Sequence, residues 1–311
     1  MEKLDLVKLA IMCAASGRHN IMVVGAPGSG KTLLLQKLAD LLPQLTEEEA
    51  ESVNRIKSLA GIMPGKEMEK DEWLRPPFRQ PHMSASLEGM CGGGVSCRPG
   101  EISLAHNGVL FLDEAAEFRS SVLQMLRVPL ESGKVCLSRA GRTTIYPADF
   151  QLAMASNPCP CGNYGSKSKV CLCSMRSVEL YWKKFSAALI DRVDIILYVD
   201  ADDNLAEEME KWDWDAMRAN VLDSVEKQRA RGVRNARITP DRWNLINMDD
   251  DAGNMLDRLT MQNDWSARRK AICVKLAKTI ADLFGCDSVS EREVDLACDL
   301  CKTIDIENIN K

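Results

Sequence analysis

The residues best suited to chemistry form one short run near the start of the chain, Gly25-Ala-Pro-Gly-Ser-Gly-Lys-Thr32. This run fits the phosphate-loop pattern G-x-x-x-x-G-K-[ST] at every position. Glycines let a backbone wrap closely around phosphate groups, and the N–H groups of the loop and of the following helix favour negative charge. We expect Lys31 to reach the β- and γ-phosphates of a nucleotide and the Thr32 hydroxyl to bind Mg²⁺. The predicted nucleotide-binding residues are Gly25, Ala26, Pro27, Gly28, Ser29, Gly30, Lys31, Thr32 and Leu33.

The flanking sequence makes this motif informative. An apolar stretch of strand length, Asn20-Ile-Met-Val-Val24, precedes the loop, and a helical pattern follows it over residues 33–42. A phosphate loop needs this order of strand, loop and helix. The alternative is a glycine-rich turn before an ordinary helix.

A second chemical group ends the apolar stretch Gly108-Val-Leu-Phe-Leu-Asp-Glu114. A buried strand that ends in two acids is the Walker B pattern, in which Asp113 would hold Mg²⁺ and Glu114 would orient and polarise the attacking water. The alternative is a core strand that happens to end in two acids. Its position after a phosphate loop favours the first interpretation, because phosphoryl transfer from ATP needs both parts.

A third group follows the next predicted strand, residues 150–156. Asn157 at its end either senses the γ-phosphate or caps the strand. Two close pairs of cysteines come next, separated by nine residues. Four thiolates in two pairs suit a tetrahedral Zn²⁺ site, although C-x-C is a less common spacing than C-x-x-C, and four free thiols are the alternative. The predicted zinc ligands are Cys159, Cys161, Cys171 and Cys173.

Composition bounds the class of protein. The chain has 311 residues, 45% hydrophobic and 27% charged, and a net charge of −5. These values are ordinary for a globular protein, and any contact with nucleic acid must come from a local basic patch. A cytoplasmic location is expected, where the 12 cysteines would be thiols or metal ligands. No stretch reaches the roughly 18 apolar residues of a membrane span.

The remaining patterns predict two domains, residues 1–200 and 201–311. In the first we expect a helix over 3–16, a capping box at Thr46–Glu49 that opens another helix, and a long insert at about 62–100 rich in Pro and Gly. Residues 119–132 look helical. A β-hairpin is predicted at about 133–146, with its turn near Ala140-Gly141. Its cations are candidate nucleic-acid contacts: Lys134, Arg139 and Arg142.

From residue 201 onward the chain looks helical throughout. Helices are predicted over 205–230, 240–247, 252–262, 266–284 and 291–302. The last of these opens with the capping box Ser290–Glu293, and its Cys298 and Cys301 are explained best by core packing. The basic run Lys227–Arg237 is interpreted as a solvated turn, with phosphate contact as the minority alternative.

An α/β phosphate-loop domain followed by a helical domain suggests an AAA+ ATPase. The exact residues of several motifs indicate which group of AAA+ ATPases the chain resembles. They resemble the magnesium-chelatase-like ATPases of the ComM/YifB branch over nearly the whole chain. The motifs are Arg79-Gln-Pro-His82, Gly92-Gly-Gly-Val-Ser-Cys-Arg-Pro-Gly-Glu-Ile-Ser-Leu-Ala-His106, Asn157-Pro-Cys-Pro-Cys-Gly162, Leu189-Ile-Asp-Arg-Val-Asp-Ile195, Ser266-Ala-Arg268 and Ala277-Lys-Thr-Ile-Ala-Asp-Leu283.

Two departures from the family pattern stand out. Met83 follows where the family tends to have a second His. Family members also carry an N-terminal Lon-protease-like domain, whereas this chain starts at the ATPase, so a separate chain is a possible source of that domain.

The resemblance implies a fold and further roles. The expected fold is an αβα domain with a mostly parallel sheet and hairpin inserts, followed by a helical lid. Asn157 matches sensor 1, and Arg192 matches the arginine finger that reaches the ATP of a neighbouring subunit. Arg268 matches sensor 2. The part of the insert around 82–100 resembles the extra hairpin of this clade, and the 133–146 hairpin resembles the pre-sensor-1 hairpin. In ring-shaped relatives both project toward the central pore. For each arginine the alternative is an ordinary salt bridge.

The resemblance also implies an activity, with rivals. The leading hypothesis is a ring-forming motor, typically a hexamer, that hydrolyses Mg-ATP and remodels DNA in branch migration or recombination. The first rival is a metal-chelatase or protein-remodelling motor. The second is a truncated module that binds nucleotide and zinc without turnover.

Overall fold

The computed structural model describes residues 2–62, 69–139, 142–165 and 169–302. The strands are β1 (Ile21–Gly25), β2 (Phe78–Arg79), β3 (Gly92–Gly93), β4 (Arg98–Pro99), β5 (Val109–Leu112), β6 (Lys134–Arg139), β7 (Arg142–Pro147), β8 (Gln151–Ser156) and β9 (Ile195–Val199). The α-helices are α1 (Lys3–Gly17), α2 (Lys31–Leu41), α3 (Glu47–Leu59), α4 (Lys70–Trp73), α5 (Leu87–Cys91), α6 (Glu101–Leu104), α7 (Ser120–Met125), α8 (Arg127–Ser132), α9 (Met175–Lys183), α10 (Ser186–Ile190), α11 (Leu205–Lys211), α12 (Trp214–Ala230), α13 (Asp250–Gln262), α14 (Ala267–Phe284) and α15 (Glu291–Leu300).

The chain forms two compact units. The first unit contains residues 1–42, 161–172 and 193–311, and the second contains residues 43–160 and 173–192. This division follows contacts within the folded chain. The predicted division into residues 1–200 and 201–311 stays a prediction.

Two parallel strands and a set of helices build the first unit. β1 pairs with β9 in parallel, from Ile21 opposite Ile195 to Gly25 opposite Val199, and all of β1 is buried. Helix α1 is buried without interruption from Leu9 to Gly17, as expected of a helix enclosed on all sides. It packs against α12 and α14, which also pack against each other.

A buried polar network joins these helices. The hydroxyl oxygens of Ser16 and Ser224 lie 2.6 Å apart, and the Gln228 amide donates to the Ser16 carbonyl at 3.2 Å. The guanidinium of Arg231 forms an ion pair with Asp282, whose side chain is 1% exposed. The basic run Lys227–Arg237 is therefore not simply a solvated turn, because Arg231 serves the interior of the unit.

A second buried group fixes the starts of β1 and β9. The His19 ring is fully buried, with Nδ1 3.2 Å from a carboxylate oxygen of Asp194 and Nε2 2.8 Å from the Thr279 hydroxyl. The same Asp194 oxygen accepts a hydrogen bond from the Asn20 backbone at 3.1 Å. These contacts tie β1, β9 and α14 together beneath the phosphate loop.

The second unit contains three parallel strands, β2, β5 and β8. β5 pairs with β2 on one side, with Phe78 opposite Val109, and with β8 on the other, with Val109 opposite Gln151. Both β5 and β8 are buried along their whole length, as expected for parallel strands covered on both faces. The prediction of an α/β fold with a mostly parallel sheet is confirmed.

Most predicted elements are present, and three differ. A proline in the interior of a helix clashes with the carbonyl four residues earlier, and Pro129 accordingly follows a break between α7 and α8 after Met125. The predicted helix 205–230 is divided at Trp212, where Asp213 caps α12 by accepting a hydrogen bond from Ala216 N. Residues 240–245 form a 3₁₀-helix instead of an α-helix, with a non-helical backbone at Arg242.

Both predicted capping boxes form, at the starts of α3 and α15. After β9, the regular elements of the described residues up to Leu300 are all α- or 3₁₀-helices. An isolated β-bridge joins Met248 to Val289. Across the described ranges, every helix is too short or too polar to cross a membrane.

Candidate active site

Backbone conformation shapes the phosphate loop. Gly28 and Gly30 have φ values of +82° and +85°, which strain any residue with a side chain. A Cβ on Gly25 would lie 2.1 Å from the Val199 carbonyl oxygen of β9, so this position also requires glycine. The Ser29 N–H donates to the Ala26 carbonyl at 3.2 Å and closes a four-residue turn.

The loop fits a phosphate group on two further observations. A Cβ on Gly28 would meet no described atom within 4 Å, so there is open space beside this residue. Ser29 is 4% exposed, and its hydroxyl has no hydrogen-bond partner among the described residues. A buried hydroxyl of this kind is available to donate to a phosphate oxygen.

Lys31 lies within the loop at the first position of α2. Its ammonium group donates to the carbonyl oxygens of Gly25 and Ala26, both at 2.7 Å, and the residue is 8% exposed. Thr32 is half-buried in the first turn of α2, where helix N–H groups favour an anion, and Leu33 is exposed. The positive charge is thus held against the backbone at the start of the loop.

The Asp-Glu pair lies on a sharp turn after β5. Glu114 has φ +49° and ψ +46°, a left-handed conformation that costs energy for a residue with a side chain. Its backbone N–H donates to the Asp113 carboxylate at 3.0 Å, and its carbonyl accepts from Glu117 N at 2.7 Å. The turn leaves the Glu114 side chain exposed, while Ala115 and Ala116 anchor it in the core.

Asn157 follows β8, the parallel neighbour of β5. Because parallel strands end at the same edge, Asn157 and the Asp113–Glu114 pair lie on one edge of the second unit's strands. The Ser156 hydroxyl bonds the Asn157 carbonyl at 3.1 Å and lies 3.3 Å from the Tyr181 hydroxyl. Burial raises the pKa of Tyr181 to about 12, so the phenol stays protonated.

Arg192 is held within its own chain. Its guanidinium donates to the Ala188 carbonyl at 2.6 Å and to the Glu131 carboxylate at 2.5 Å. The Arg192 side chain is 13% exposed and that of Glu131 is 63% exposed. Arg192 was predicted to be an arginine finger, but its contact with Glu131 was not predicted, since nothing in the sequence signals a contact across 61 positions.

The two arginines at the start of α14 differ. Arg268, the predicted sensor 2, is exposed. Arg269 is buried and donates to the carbonyls of Val193 at 3.2 Å and Cys301 at 3.3 Å. The sequence analysis did not single out Arg269, although its spacing from the buried residues Ile272 and Cys273 is that of one helix face.

The four predicted zinc ligands come together. The Sγ atoms of Cys159, Cys161, Cys171 and Cys173 lie within 4.8 Å of one another. A tetrahedral Zn²⁺ with Zn–S distances of about 2.3 Å needs S···S separations of about 3.8 Å, and the Cys161 and Cys171 sulfurs lie 3.5 Å apart. The donor set therefore fits a tetrahedral thiolate site with small adjustments. Cys159 is buried and Cys161 is exposed.

The cysteines of the helical region behave differently. Burial is the main cause that raises the pKa of Cys298, to about 11, and Cys301 is fully buried at the end of α15. Cys301 thus packs in the core as predicted, whereas Cys298 is half-buried.

The predicted hairpin forms from β6 and β7, with Arg139 paired opposite Arg142. The predicted turn Ala140-Gly141 and the side chains of both arginines lie outside the described residues. Lys134 is exposed. In the insert, β3 and β4 form a second small hairpin, and the Tyr146 hydroxyl of β7 donates to the Cys97 carbonyl at 2.9 Å.

The RQPH motif of the insert is partly structural. Arg79 forms two hydrogen bonds with Glu101, both at 2.7 Å, and this bidentate contact raises the pKa of Arg79. His82 is exposed, and its Nδ1 lies 2.8 Å from the Ser84 hydroxyl.

Comparison with known families identifies the chain. The family model described as magnesium chelatase, subunit ChlI, matches residues 4–207, and the model for the C-terminal part of the same subunit matches residues 213–300. The chain belongs to the magnesium chelatase family. The resemblance derived from the motifs is thereby confirmed.

Individual relatives support the ComM/YifB branch of this family. YifB of Salmonella typhimurium is 36% identical over 298 residues, which is 93% of this chain and 57% of that protein. The competence protein ComM of Haemophilus influenzae is 37% identical over 284 residues, which is 89% of this chain and 54% of that protein. The chain thus spans somewhat over half the length of these two relatives. Magnesium-chelatase subunit ChlI of Trieres chinensis is 26% identical over 44% of each chain.

Proposed function

We propose that this chain is a Mg²⁺-dependent ATP hydrolase that assembles as a homo-oligomeric ring and remodels DNA. The phosphate loop carries the ATPase part of the proposal. Gly28 and Gly30 hold conformations that strain other residues, a Cβ on Gly28 would meet open space, and Ser29 and Lys31 are buried. This arrangement suits the polyphosphate of a nucleotide.

In the proposed reaction, residues of the chain divide binding from hydrolysis. Lys31 binds the β- and γ-phosphates, and Glu114 orients and polarises the attacking water. Asn157 contacts the γ-phosphate, and Arg268 contacts the nucleotide from the helical part of the chain. Thr32 and Asp113 would hold Mg²⁺, which supplies positive charge against the phosphate oxygens.

Arg192 is proposed to act on the ATP of a neighbouring subunit, in a ring that is typically a hexamer. A guanidinium suits this task because it stays charged and bonds phosphate oxygens with a planar fork of donors. Within its own chain it donates to Glu131, whose side chain is largely exposed, and to the Ala188 carbonyl, so contact with a phosphate would exchange bonds of the guanidinium for new ones.

DNA is the proposed substrate, for branch migration or recombination. The proposal rests on the likeness to the ComM/YifB branch and on the name of the Haemophilus relative, a competence protein. Because the net charge is −5, the contact must be local. Lys134 at the base of the hairpin, with Arg139 and Arg142, is the candidate patch.

We also propose one Zn²⁺ per chain, bound by the four clustered cysteines. A site with four thiolates has no open position, so the metal would stabilise the segment and take no part in hydrolysis. Metal analysis of protein purified without added zinc tests this. A metal-free protein whose fold is insensitive to chelators would contradict it.

A second candidate is a metal-chelatase or protein-remodelling motor, which the matching family models favour. The third is a module that binds nucleotide and zinc without turnover. A separate chain with a Lon-protease-like domain and a cytoplasmic location stay predictions.

One assay separates these candidates. ATP turnover is measured alone, with single-stranded DNA and with branched DNA, and Glu114→Gln serves as the inactive control. Turnover that branched or single-stranded DNA stimulates supports the DNA motor. Turnover indifferent to DNA favours the second candidate. ATP binding with no turnover under any condition leaves the third.

A further inference from the structure

The segment that carries the clustered cysteines contacts the phosphate loop at Gly162. Gly162 directly follows Cys161 and lies against the ring of Pro27. A Cβ on Gly162 would lie 2.5 Å from Cδ and 2.8 Å from Cγ of Pro27, closer than real Cβ contacts. Gly162 also has φ +78°. Both the backbone conformation and the contact thus require a residue without a side chain here.

Pro27 occupies a corner of the phosphate loop. The hydrogen bond from Ser29 N to Ala26 O closes a turn with Pro27 at its second position and Gly28, with φ +82°, at its third. This pattern matches a type II turn, in which proline fixes one corner and glycine supplies the positive φ of the other. A shift of the Pro27 ring therefore displaces its neighbours in the turn, Gly28 and the buried Ser29.

Cys161 is one of the four clustered thiols, and its sulfur lies 3.5 Å from that of Cys171. A metal bound to this pair would fix the backbone of Cys161, and with it the next residue. We propose that metal occupancy of the cysteine cluster presses Gly162 against Pro27 and so sets the affinity of the phosphate loop for nucleotide. This inference rests on the proposed ATP and zinc binding and adds a regulatory link between them.

Coupling of this kind is reciprocal. If Zn²⁺ raises the affinity for ATP by some factor, ATP raises the affinity for Zn²⁺ by the same factor. Couplings between sites typically fall between about 5-fold and 150-fold. The short path from Cys161 through Gly162 to Pro27 leads us to expect about tenfold.

The test uses the whole chain and two equilibrium measurements. Calorimetry gives the Kd of Mg-ATP for the zinc-loaded chain, the chelator-stripped chain and the stripped chain after Zn²⁺ is returned. Competition with a chromogenic chelator gives the Zn²⁺ affinity with and without saturating ATP. We expect ATP to bind about tenfold more weakly to the stripped chain, recovery when Zn²⁺ returns, and the same factor in the zinc titration.

Three variants locate the coupling. Gly162→Ala, still loaded with zinc, is expected to bind ATP about tenfold more weakly. Its matched control is Gly232→Ala, at φ +70°, where a Cβ meets no described atom within 4 Å, so the backbone strain is similar and the contact is absent. Pro27→Ala removes the ring, and its ATP affinity should no longer depend on zinc.

The outcomes separate this inference from the proposed function. Equal ATP affinities with and without zinc in a folded chain overturn the coupling and leave the ATPase standing. A chain that binds no zinc also overturns it. ATP binding absent from every form overturns both proposals. If the stripped chain unfolds, the zinc-loaded variants decide, and equal ATP affinities for Gly162→Ala and Gly232→Ala overturn the coupling.

Discussion

The phosphate loop and the Asp113–Glu114 turn both serve the proposed reaction, but they are built by different means. The loop is shaped by its backbone, since Gly28 and Gly30 adopt positive φ and Gly25 lies against a carbonyl of β9. The Asp-Glu turn presents side chains at the end of a buried strand and accepts a strained backbone at Glu114 to do so. In the proposed reaction, the loop surrounds the phosphates with its backbone, and the Asp-Glu turn directs side chains at them.

This difference separates two kinds of mutational effect. A change in the loop should act on the affinity for nucleotide, because the loop contacts groups that are present before the reaction. A change in the side-chain region should act on turnover, because its groups act on charge and water in the transition state. Four substitutions test this division, ordered by expected effect.

Arg192→Ala should have the largest effect, a loss of about 10³- to 10⁵-fold in turnover with little change in ATP affinity, as for arginine fingers elsewhere. The control is Arg127→Ala, an exposed arginine of the same unit, which should keep its activity. Steady-state turnover and calorimetric Kd are the measurements. A loss of ATP affinity as large as the loss of turnover would contradict the expectation that Arg192 acts on turnover alone.

Mixing shows whether Arg192 acts between subunits. Arg192→Ala and Glu114→Gln subunits have complementary defects, so mixed rings contain some interfaces with both groups intact. Some activity should return if the arginine serves a neighbour. No return, after co-assembly of the two variants has been verified, would place its action within one subunit.

Glu114→Gln should lower turnover by about 10²- to 10⁴-fold, the usual contribution of a group that activates water. ATP affinity should stay unchanged because the loop is untouched. Glu117→Gln makes the same chemical change three residues away at an exposed site and should be active. Equal turnover of Glu114→Gln and wild type would refute the role of Glu114.

Lys31→Ala should weaken ATP binding by about 10- to 150-fold, the loss expected when a hydrogen bond to a charged group is removed. The control is Lys37→Ala, a half-buried lysine of the same helix whose ammonium pairs with Asp40. Unaltered ATP affinity in Lys31→Ala would contradict the binding role of the loop.

Glu131→Gln should have the smallest effect, a rise in turnover of at most about fivefold. Its carboxylate competes with phosphate for the Arg192 guanidinium, and because that carboxylate is 63% exposed, water weakens the ion pair toward the value of about 0–1 kcal/mol found at surfaces. Glu131→Asp keeps the charge and should behave like wild type. A decrease that approached the effect of Arg192→Ala would show instead that Glu131 holds the arginine in its working position.

The same contrast explains what could be predicted from the sequence. The phosphate loop could be recognised because its shape demands glycine at defined positions. The capping boxes of α3 and α15 were equally legible, since a cap and its partner lie three residues apart. The Asp-Glu pair could be recognised only as the end of an apolar strand. Its left-handed turn could not be predicted, because glutamate is not a residue type that indicates a positive φ.

Contacts across long sequence separations could not be predicted. Glu131 and Arg192 meet across 61 positions, and Arg269 reaches the Val193 carbonyl across 76. A backbone carbonyl has no residue type, so no pattern could mark that partner. The contact between Gly162 and Pro27 could not be predicted because the two residues lie far apart in the sequence, although both stand within quoted motifs.

The hydrogen bond from the Tyr146 hydroxyl to the Cys97 carbonyl joins the two hairpins of the second unit. Tyr146 and Cys97 are both buried, so water does not compete for this bond. A displacement of one hairpin is therefore transmitted to the other through this bond, and the two hairpins should move together. Tyr146→Phe should raise amide hydrogen exchange in β3 and β4, and an unchanged exchange rate would show that the hairpins bear load separately. With the bond intact, any contact that displaces β7 should also displace the insert.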